Sequence, residues 1–388
     1  MKKASASIAI VIVITLIGGG AAMAADVIPN PLAGKDGGTS VIDDPGHDDH
    51  EDEHEDVEVK EIGDMSIHFL MLGNKYTGDS VYINYGDIDI IIDAGSRTSS
   101  ANTIVEYISE YVKDGKIEYV IATHAHQDHI AGFYSSGSTK GVLDSFDIGT
   151  VIDYPLTDST TVTRSNYENT VKRLVDEKGT IHYNALQCYK NEDGAKRIIE
   201  LGPGVEMEIL YQPYYDNKAK TENDYSVCLM IRNGEQQYLF TGDLEKVGED
   251  ALVDFYQTER GGLGKCVLYK GGHHGSSTSS NVKLMAEIQP DYVIVCTCAG
   301  TEEYSKTPSG QFPTQNFIDR VAPYTDKVYV TTVILDYSSP TNAYAPLNGN
   351  VVFSVKDEKI EIICSGDDRV LKDTEWFKDN RVAPAAWA

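Results

Sequence analysis

The chain has 388 residues, 41% of them hydrophobic and 24% charged, and its 60 acidic side chains against 33 basic ones give a formal net charge of −27. That composition excludes a collagen-like, a small disulfide-stapled or a polytopic membrane protein, and the length suits one large domain or two ordinary ones. Residues 1–42 carry +1 and residues 43–61 carry −10, which leaves −18 for the rest. The body is therefore acidic in its own right, which argues against a surface that grips a polyanion along a long footprint.

In chain order, Met1-Lys2-Lys3, an apolar run over 8–17, Gly18-Gly19-Gly20 and Ala22-Met23-Ala24 read as a secretory signal occupying residues 1–25, with cleavage after Ala24. The alternative is an uncleaved N-terminal anchor, because 8–25 is uncharged and close to the roughly 20 residues that span a bilayer. No later stretch is long and apolar enough to insert, so the cleaved protein is expected to be secreted or cell-surface, with no stable membrane insertion. Residues 26–64 are rich in Gly, Pro, Asp, Glu and His without apolar periodicity and are expected to be a disordered acidic linker; His47, His50 and His54 interleave with its carboxylates. The hydrolase-sized body then runs over 65–388.

Short apolar runs predict strands at 67–72, 81–85, 88–92, 119–122, 151–154, 205–211, 227–231, 237–240, 267–269, 292–296, 328–332, 351–355 and 360–364. Helical periods lie near 103–112, 167–176, 244–256, 281–288 and 315–322. Strand pairs joined by short turns precede strand–helix alternation, so the expected class is α/β, with mixed sheets covered by helices. The six cysteines include no CxxC pair; Cys296 and Cys298 share one strand face and cannot readily bridge, so buried free thiols are expected, with a distant disulfide as the alternative.

The most informative segment is Thr123-His124-Ala125-His126-Gln127-Asp128-His129, directly after the predicted strand 119–122. His124 and His126, two apart on an extended exit from a strand, project the same way and can share one metal ion, while Asp128 and His129 stand where the chain turns into a helix and can reach a neighbouring one. This HxHxDH run resembles the metallo-β-lactamase superfamily, and further landmarks follow in order. Ile92-Asp93-Ala94-Gly95 matches its early DxG turn, in which Asp93 would buttress the site from behind the ligands. Phe240-Thr241-Gly242-Asp243 matches the turn that supplies a bridging carboxylate, and Lys270-Gly271-Gly272-His273-His274-Gly275-Ser276-Ser277 matches the late element that supplies the last histidine, His274 with His273 as the alternative.

Together with Gly78-Asp79-Ser80 and Glu222-Asn223-Asp224-Tyr225-Ser226, these motifs look like the soluble hydrolase domain of the ComEC competence-protein family, and secreted phosphorylcholine esterases are similar in plan. The resemblance implies a four-layer αββα sandwich with two mixed β-sheets. It implies a Zn2+ enzyme with ligands His124, His126, Asp128, His129, Asp243 and His274 and two metal sites, with one tight and one labile site as the alternative, and Mn2+ as the alternative ion. The implied activity is cleavage of phosphodiester bonds by a metal-activated hydroxide, with Asp128 and Asp243 catalytic. Antibiotic hydrolysis is disfavoured because true β-lactamases of this fold commonly carry Cys where Asp243 stands.

Two features depart from the family. A third histidine between the HxHxDH run and Asp243 has no clear counterpart: His182 sits in a strand-like setting, and Asn223 or Asp224 occupies the better place. After Cys296 the chain reads Tyr304-Ser305-Lys306-Thr307-Pro308, without the expected His. Ser276, Ser277 and Lys270 border the late histidine and could contact phosphate, although Ser276 could equally cap a helix beginning near Ser279. The acidity points to small or cell-surface phosphodiesters as substrate; a competence-type extracellular DNase is the alternative, and a metal-binding scaffold on a degenerate hydrolase fold is the rival from a different class.

Overall fold

A computed structural model describes residues 63–388. The expected signal and almost all of the acidic linker lie outside the described residues. Among the described residues, no helix is long and apolar enough to cross a membrane.

Most of the apolar runs become strands buried on both faces, which is why they read as continuous rather than alternating, whereas the run at 360–364 becomes a half-exposed edge strand. In chain order they are β1 Met65–Phe69, β2 Val81–Tyr85, β3 Ile88–Ile92, β4 Lys116–Ile121, β5 Asp147–Asp153, β6 Ile181–Asn184, β7 Ile198–Gly202, β8 Val205–Leu210, β9 Cys228–Asn233, β10 Gln236–Phe240, β11 Leu268–Lys270, β12 Tyr292–Ala299, β13 Val328–Ile334, β14 Tyr344–Pro346, β15 Val351–Lys356 and β16 Lys359–Cys364. The helices are α1 Ser100–Ile108, α2 Gln127–Ile130, α3 Val142–Ser145, α4 Val162–Lys178, α5 Ala185–Lys190, α6 Lys246–Arg260, α7 Val282–Ile288, α8 Gln315–Val321 and α9 Glu375–Asn380.

The strands form two eight-stranded mixed sheets, ordered β16-β15-β1-β2-β3-β4-β5-β6 and β14-β13-β12-β11-β10-β9-β8-β7, which with their helices make the α/β metallo-β-lactamase sandwich. Aromatic rings interlock between them: Phe69 stacks on Phe240 at 6.4 Å, and Phe353 meets Tyr238 and Tyr292 edge-on, each at 5.5 Å. A second core of Leu252, Tyr256, Leu284, Met285, Phe317 and neighbours lies where α6, α7 and α8 pack on the second sheet. Elements missing from the sequence reading include β7, β14, α3, α5 and α9, which are short or half-exposed and carry little periodicity. Cys188, Cys228, Cys266, Cys296 and Cys298 are buried free thiols.

Each sheet contains a parallel run, β3-β4-β5-β6 in the first and β10-β11-β12-β13 in the second. Parallel strands deliver their carboxyl ends to one edge, so the loops after β3, β4, β10 and β11 can meet there.

One buried carboxylate holds part of that edge in place. Glu249 of α6 is fully buried and accepts hydrogen bonds from the Ser280 and Asn281 amides at 2.6 and 2.8 Å and from Asn281 Nδ2 at 2.9 Å. Those amides open α7, whose N-cap is Asn281, so Ser276 does not cap this helix as the sequence allowed. Glu249→Ala strands three donors and is expected to cost about 3 kcal/mol in chemical denaturation. Burial pushes the Glu249 carboxyl up to about 7, so the folded form keeps its proton longer than the unfolded chain and stability falls as pH rises from about 4.5 to 7. The Tm of the wild type minus that of Glu249→Gln should therefore decrease between pH 5 and 8; a constant difference contradicts the assignment.

Candidate metal centre

The centre is assembled from loop residues at the carboxyl ends of β3, β4, β10 and β11, plus the loop before β2. Three of its residues adopt left-handed backbone, Asp93 at φ 60°, His273 at φ 43° and His274 at φ 54°, a conformation costing about 1–3 kcal/mol for a side-chain-bearing residue and kept where the surroundings enforce it. Gly78 lets the loop before β2 pass close to the HxHxDH turn: a Cβ there would lie 2.8 Å from the Asp128 carbonyl. Gly275, at φ +81°, leaves room for Pro313, which a Cβ would meet at 2.7 Å.

Asp79, His129, Asp243 and His274 are all buried and offer ligand atoms within 4.8 Å of one another, a group that could hold a metal ion. His129 Nε2 and His274 Nε2 converge on one oxygen, Asp243 Oδ2, at 3.1 and 3.2 Å. Asp128 Oδ2 lies 3.4 Å from His274 Nε2. Behind His129, Nδ1 meets Asp93 Oδ2 at 2.7 Å, and Asp93 also accepts from the Thr123 amide and hydroxyl, both at 2.8 Å. The Asp243 amide is tied to Ser226 Oγ at 3.1 Å.

His124 and His126 flank this group. His124 packs its ring 4.1 Å from that of His129, and its Nε2 meets His126 Nδ1 at 3.0 Å. His273 reaches toward the same Asp243 oxygen, at 3.7 Å, while its Nδ1 pairs with Thr278 Oγ1 at 2.8 Å.

The remaining candidates separate. Asn223 Nδ2 donates to Glu245 Oε1 at 3.0 Å, and its buried Oδ1 has no hydrogen-bond partner. Asp224 accepts from the Glu245 amide at 3.1 Å at the start of α6, where it serves the helix end. Ser276 Oγ pairs with Thr278 within its own turn. Lys270 is buried on Asp79. His182 lies on β6 against Asp153, at 2.9 Å. The sequence reading assigned no role to Asp79, although Gly78-Asp79-Ser80 stood among its landmarks, nor to Tyr304, whose hydroxyl donates to Asp128 Oδ2. Tyr304 stacks on Phe312, and Phe312 on His274.

These residues fit a divalent cation. Asp79, Asp93, Asp128 and Asp243 are buried around a single buried ammonium, Lys270, an excess of negative charge that a protein interior tolerates only with a compensating cation. Both oxygens of Asp243 and the Nε2 atoms of His129 and His274 are buried without a partner in hydrogen-bond geometry. Burial opposes charge on either imidazole, yet Asp243 and Asp93 hold His129, and Asp243 and Asp79 hold His274, well above the usual histidine range. Burial likewise favours protonated Asp243, but His129 and His274 outweigh it and keep the carboxyl well below its usual range.

A sequence profile described as "Metallo-beta-lactamase superfamily" matches residues 73–140. Curated relatives include ComE operon protein 3 of Bacillus subtilis, 25% identical over 46% of this chain and 20% of that protein. Recombination protein 2 of Haemophilus influenzae is 23% identical over 63% of this chain and 25% of that protein, and competence protein ComA of Neisseria gonorrhoeae is 36% identical over 24% and 12%. The chain thus matches a quarter or less of the length of these relatives. Among solved structures, the metallo-beta-lactamase fold protein YhfI of Bacillus subtilis aligns with a TM-score of 0.38 at 12% identity, covering 69% of this chain and 96% of that one. CmlA, a diiron beta-hydroxylase from Streptomyces venezuelae, aligns with a TM-score of 0.35 at 12% identity over 67% and 47%. Residues 73–140 thus match the metallo-β-lactamase superfamily, and the chain is similar to part of the competence proteins.

Because a cation between the two Nε2 atoms and Asp243 replaces protons drawn to the imidazoles, metal binding should release protons, and affinity should weaken as pH falls from 8 to 6. Zinc titrations by calorimetry in buffers of different ionisation enthalpy check both; pH-independent affinity contradicts this reading of the cluster.

Proposed function

We propose that the chain is an exported zinc-dependent hydrolase that cleaves small or cell-surface phosphodiesters. The observation that carries the reading is the convergence of His129 Nε2 and His274 Nε2 on Asp243 Oδ2 inside a buried cluster with excess carboxylates. In it His129, Asp243 and His274 would hold the metal, with Asp128 beside His274, and His124 with His126 would provide a neighbouring, weaker position. A divalent cation held there supplies acidification of water and counter-charge for phosphoryl oxygens.

The chain's own groups do the rest. Asp93 keeps the His129 proton on Nδ1 and so presents Nε2 forward. Ser226 fixes the turn carrying Asp243. Tyr304 donates its hydroxyl to Asp128, which aims that carboxylate across His274, and the Tyr304 ring remains half-exposed at the edge of the centre where an ester group would enter.

Substrate size follows from charge. The −18 carried by residues 62–388 repels a long polyanion, whereas a short ester needs only the metal as counter-charge. A competence-type DNase is the second reading, favoured by the relatives matched above.

The test compares bis(p-nitrophenyl) phosphate, p-nitrophenylphosphorylcholine, single-stranded DNA and nitrocefin with and without chelator. Hydrolysis of the small phosphodiesters that is lost on chelation and restored by zinc is expected. Preference for DNA favours the second reading, and bound zinc with no hydrolysis favours a scaffold. Asp243→Ala should abolish turnover with the circular dichroism spectrum unchanged. Tyr304→Phe should lower kcat about 10-fold with zinc content retained, as expected for a group that aims a catalytic carboxylate; an unchanged kcat removes Tyr304 from the site.

A further inference from the structure

Asp79 and Lys270 form a buried charged pair at the centre that the hydrolase reading leaves without a task. Each is 2% exposed, and the ammonium sits on Asp79 Oδ2. The pair reaches both halves of the centre. Asp79 Oδ1 lies 2.9 Å from His274 Nδ1. Lys270 Nζ lies 3.9 Å from Asp243 Oδ1 and donates at 3.3 Å to the Gly242 carbonyl, in the turn that carries Asp243.

Asp79 belongs to the group of four that could hold an ion, but its contacts point to a different task. Its Oδ2 lies against the ammonium and its Oδ1 faces the rear nitrogen of His274, opposite the nitrogen that meets Asp243, though neither oxygen has a partner in hydrogen-bond geometry. His129 also has a carboxylate behind it, with Nδ1 hydrogen-bonded to Asp93 at 2.7 Å and Nε2 at 3.1 Å from Asp243. For His274 the proton on Nδ1 points to the Cys296 carbonyl at 3.0 Å, with the Asp79 carboxylate beside it. A carboxylate behind an imidazole fixes the ring and strengthens the forward nitrogen as a donor to metal.

We propose that Asp79 and Lys270 are a positioning pair, Asp79 orienting His274 from behind and Lys270 locking Asp79 to the Asp243 turn, with neither binding the metal. The pair keeps the two metal-facing elements, the turn after β10 and the turn after β11, in register through one internal ion pair. A lone Asp79 would add a further uncompensated charge to the interior, which explains why an ammonium is buried beside a cation site. The inference rests on the metal-centre reading above.

The experiment measures zinc affinity by competition with a chromogenic chelator, cobalt absorption spectra and thermal unfolding, on the full chain and on Asp79→Asn, Lys270→Met and the double variant. The double variant is decisive, because it restores charge balance while removing the carboxylate behind His274, and it keeps the test open if Asp79→Asn strands the ammonium and fails to fold. It should bind zinc about 10- to 100-fold more weakly than wild type, with the cobalt spectrum of the wild type, since the ligands are unchanged. Lys270→Met should lower the Tm of the metal-free protein while holding zinc affinity within about threefold. Wild-type affinity in the double variant overturns the proposal, leaving the Cys296 carbonyl as sufficient support. A changed cobalt spectrum also overturns it, making Asp79 a ligand. Failure of the wild type to bind metal instead sinks the metal-centre reading itself.

Discussion

The structure turns on the Asp243 carboxylate, buried at the edge of the two sheets and approached by two imidazoles. A single buried carboxylate is costly, and this one has further carboxylates beside it, with one ammonium to offset them. The histidines that converge on Asp243 lower that cost by attracting protons, and a divalent cation in place of those protons would do the same. The surrounding framework keeps this arrangement from relaxing. Asp93 and Thr123 secure His129, Ser226 secures the Asp243 turn, and Glu249 secures the start of α7 just beyond His274. Left-handed backbone at Asp93, His273 and His274 is the strain the fold accepts to turn these side chains inward.

The two sheets divide the labour. The first contributes Asp93 and the HxHxDH run from the ends of adjacent parallel strands, and the second contributes Asp243 and His274 in the same way. The buried group of four takes Asp79 and His129 from the first and Asp243 and His274 from the second. The centre therefore exists only once the sheets have packed through Phe69, Phe240, Tyr238 and Phe353, so metal affinity and sheet packing are thermodynamically linked. The segment 300–313 closes the remaining side, with Tyr304 on Asp128 and Phe312 on His274.

Much of this was legible in the sequence because the loops that carry the candidate ligands follow strongly apolar strands. The HxHxDH run, the TGD turn and the HHGS element each stand directly after such a strand, so both the strand and the loop announce themselves. Asp79 was harder to read. It lies in a loop without periodicity, and its importance comes from Lys270, 191 positions away in the chain. Tyr304 is similar: it lies in a stretch where the sequence showed only the absence of an expected histidine, and only its contact with Asp128 gives it a place. Asp224, an attractive oxygen donor by position, proved to serve the start of α6.

What the sequence determined by itself was local: the strands, the acidic body, and which loops carry imidazoles and carboxylates, because these follow from periodicity, composition and short-range spacing. The tertiary structure decided which of those groups face one another. It brought both His273 and His274 toward Asp243 with His274 nearer, left His124 and His126 on the flank, and buried Lys270 on Asp79 rather than offering it to a substrate. Those outcomes depend on the register of two sheets whose strands are distant in the chain, and no spacing within a single segment encodes that register.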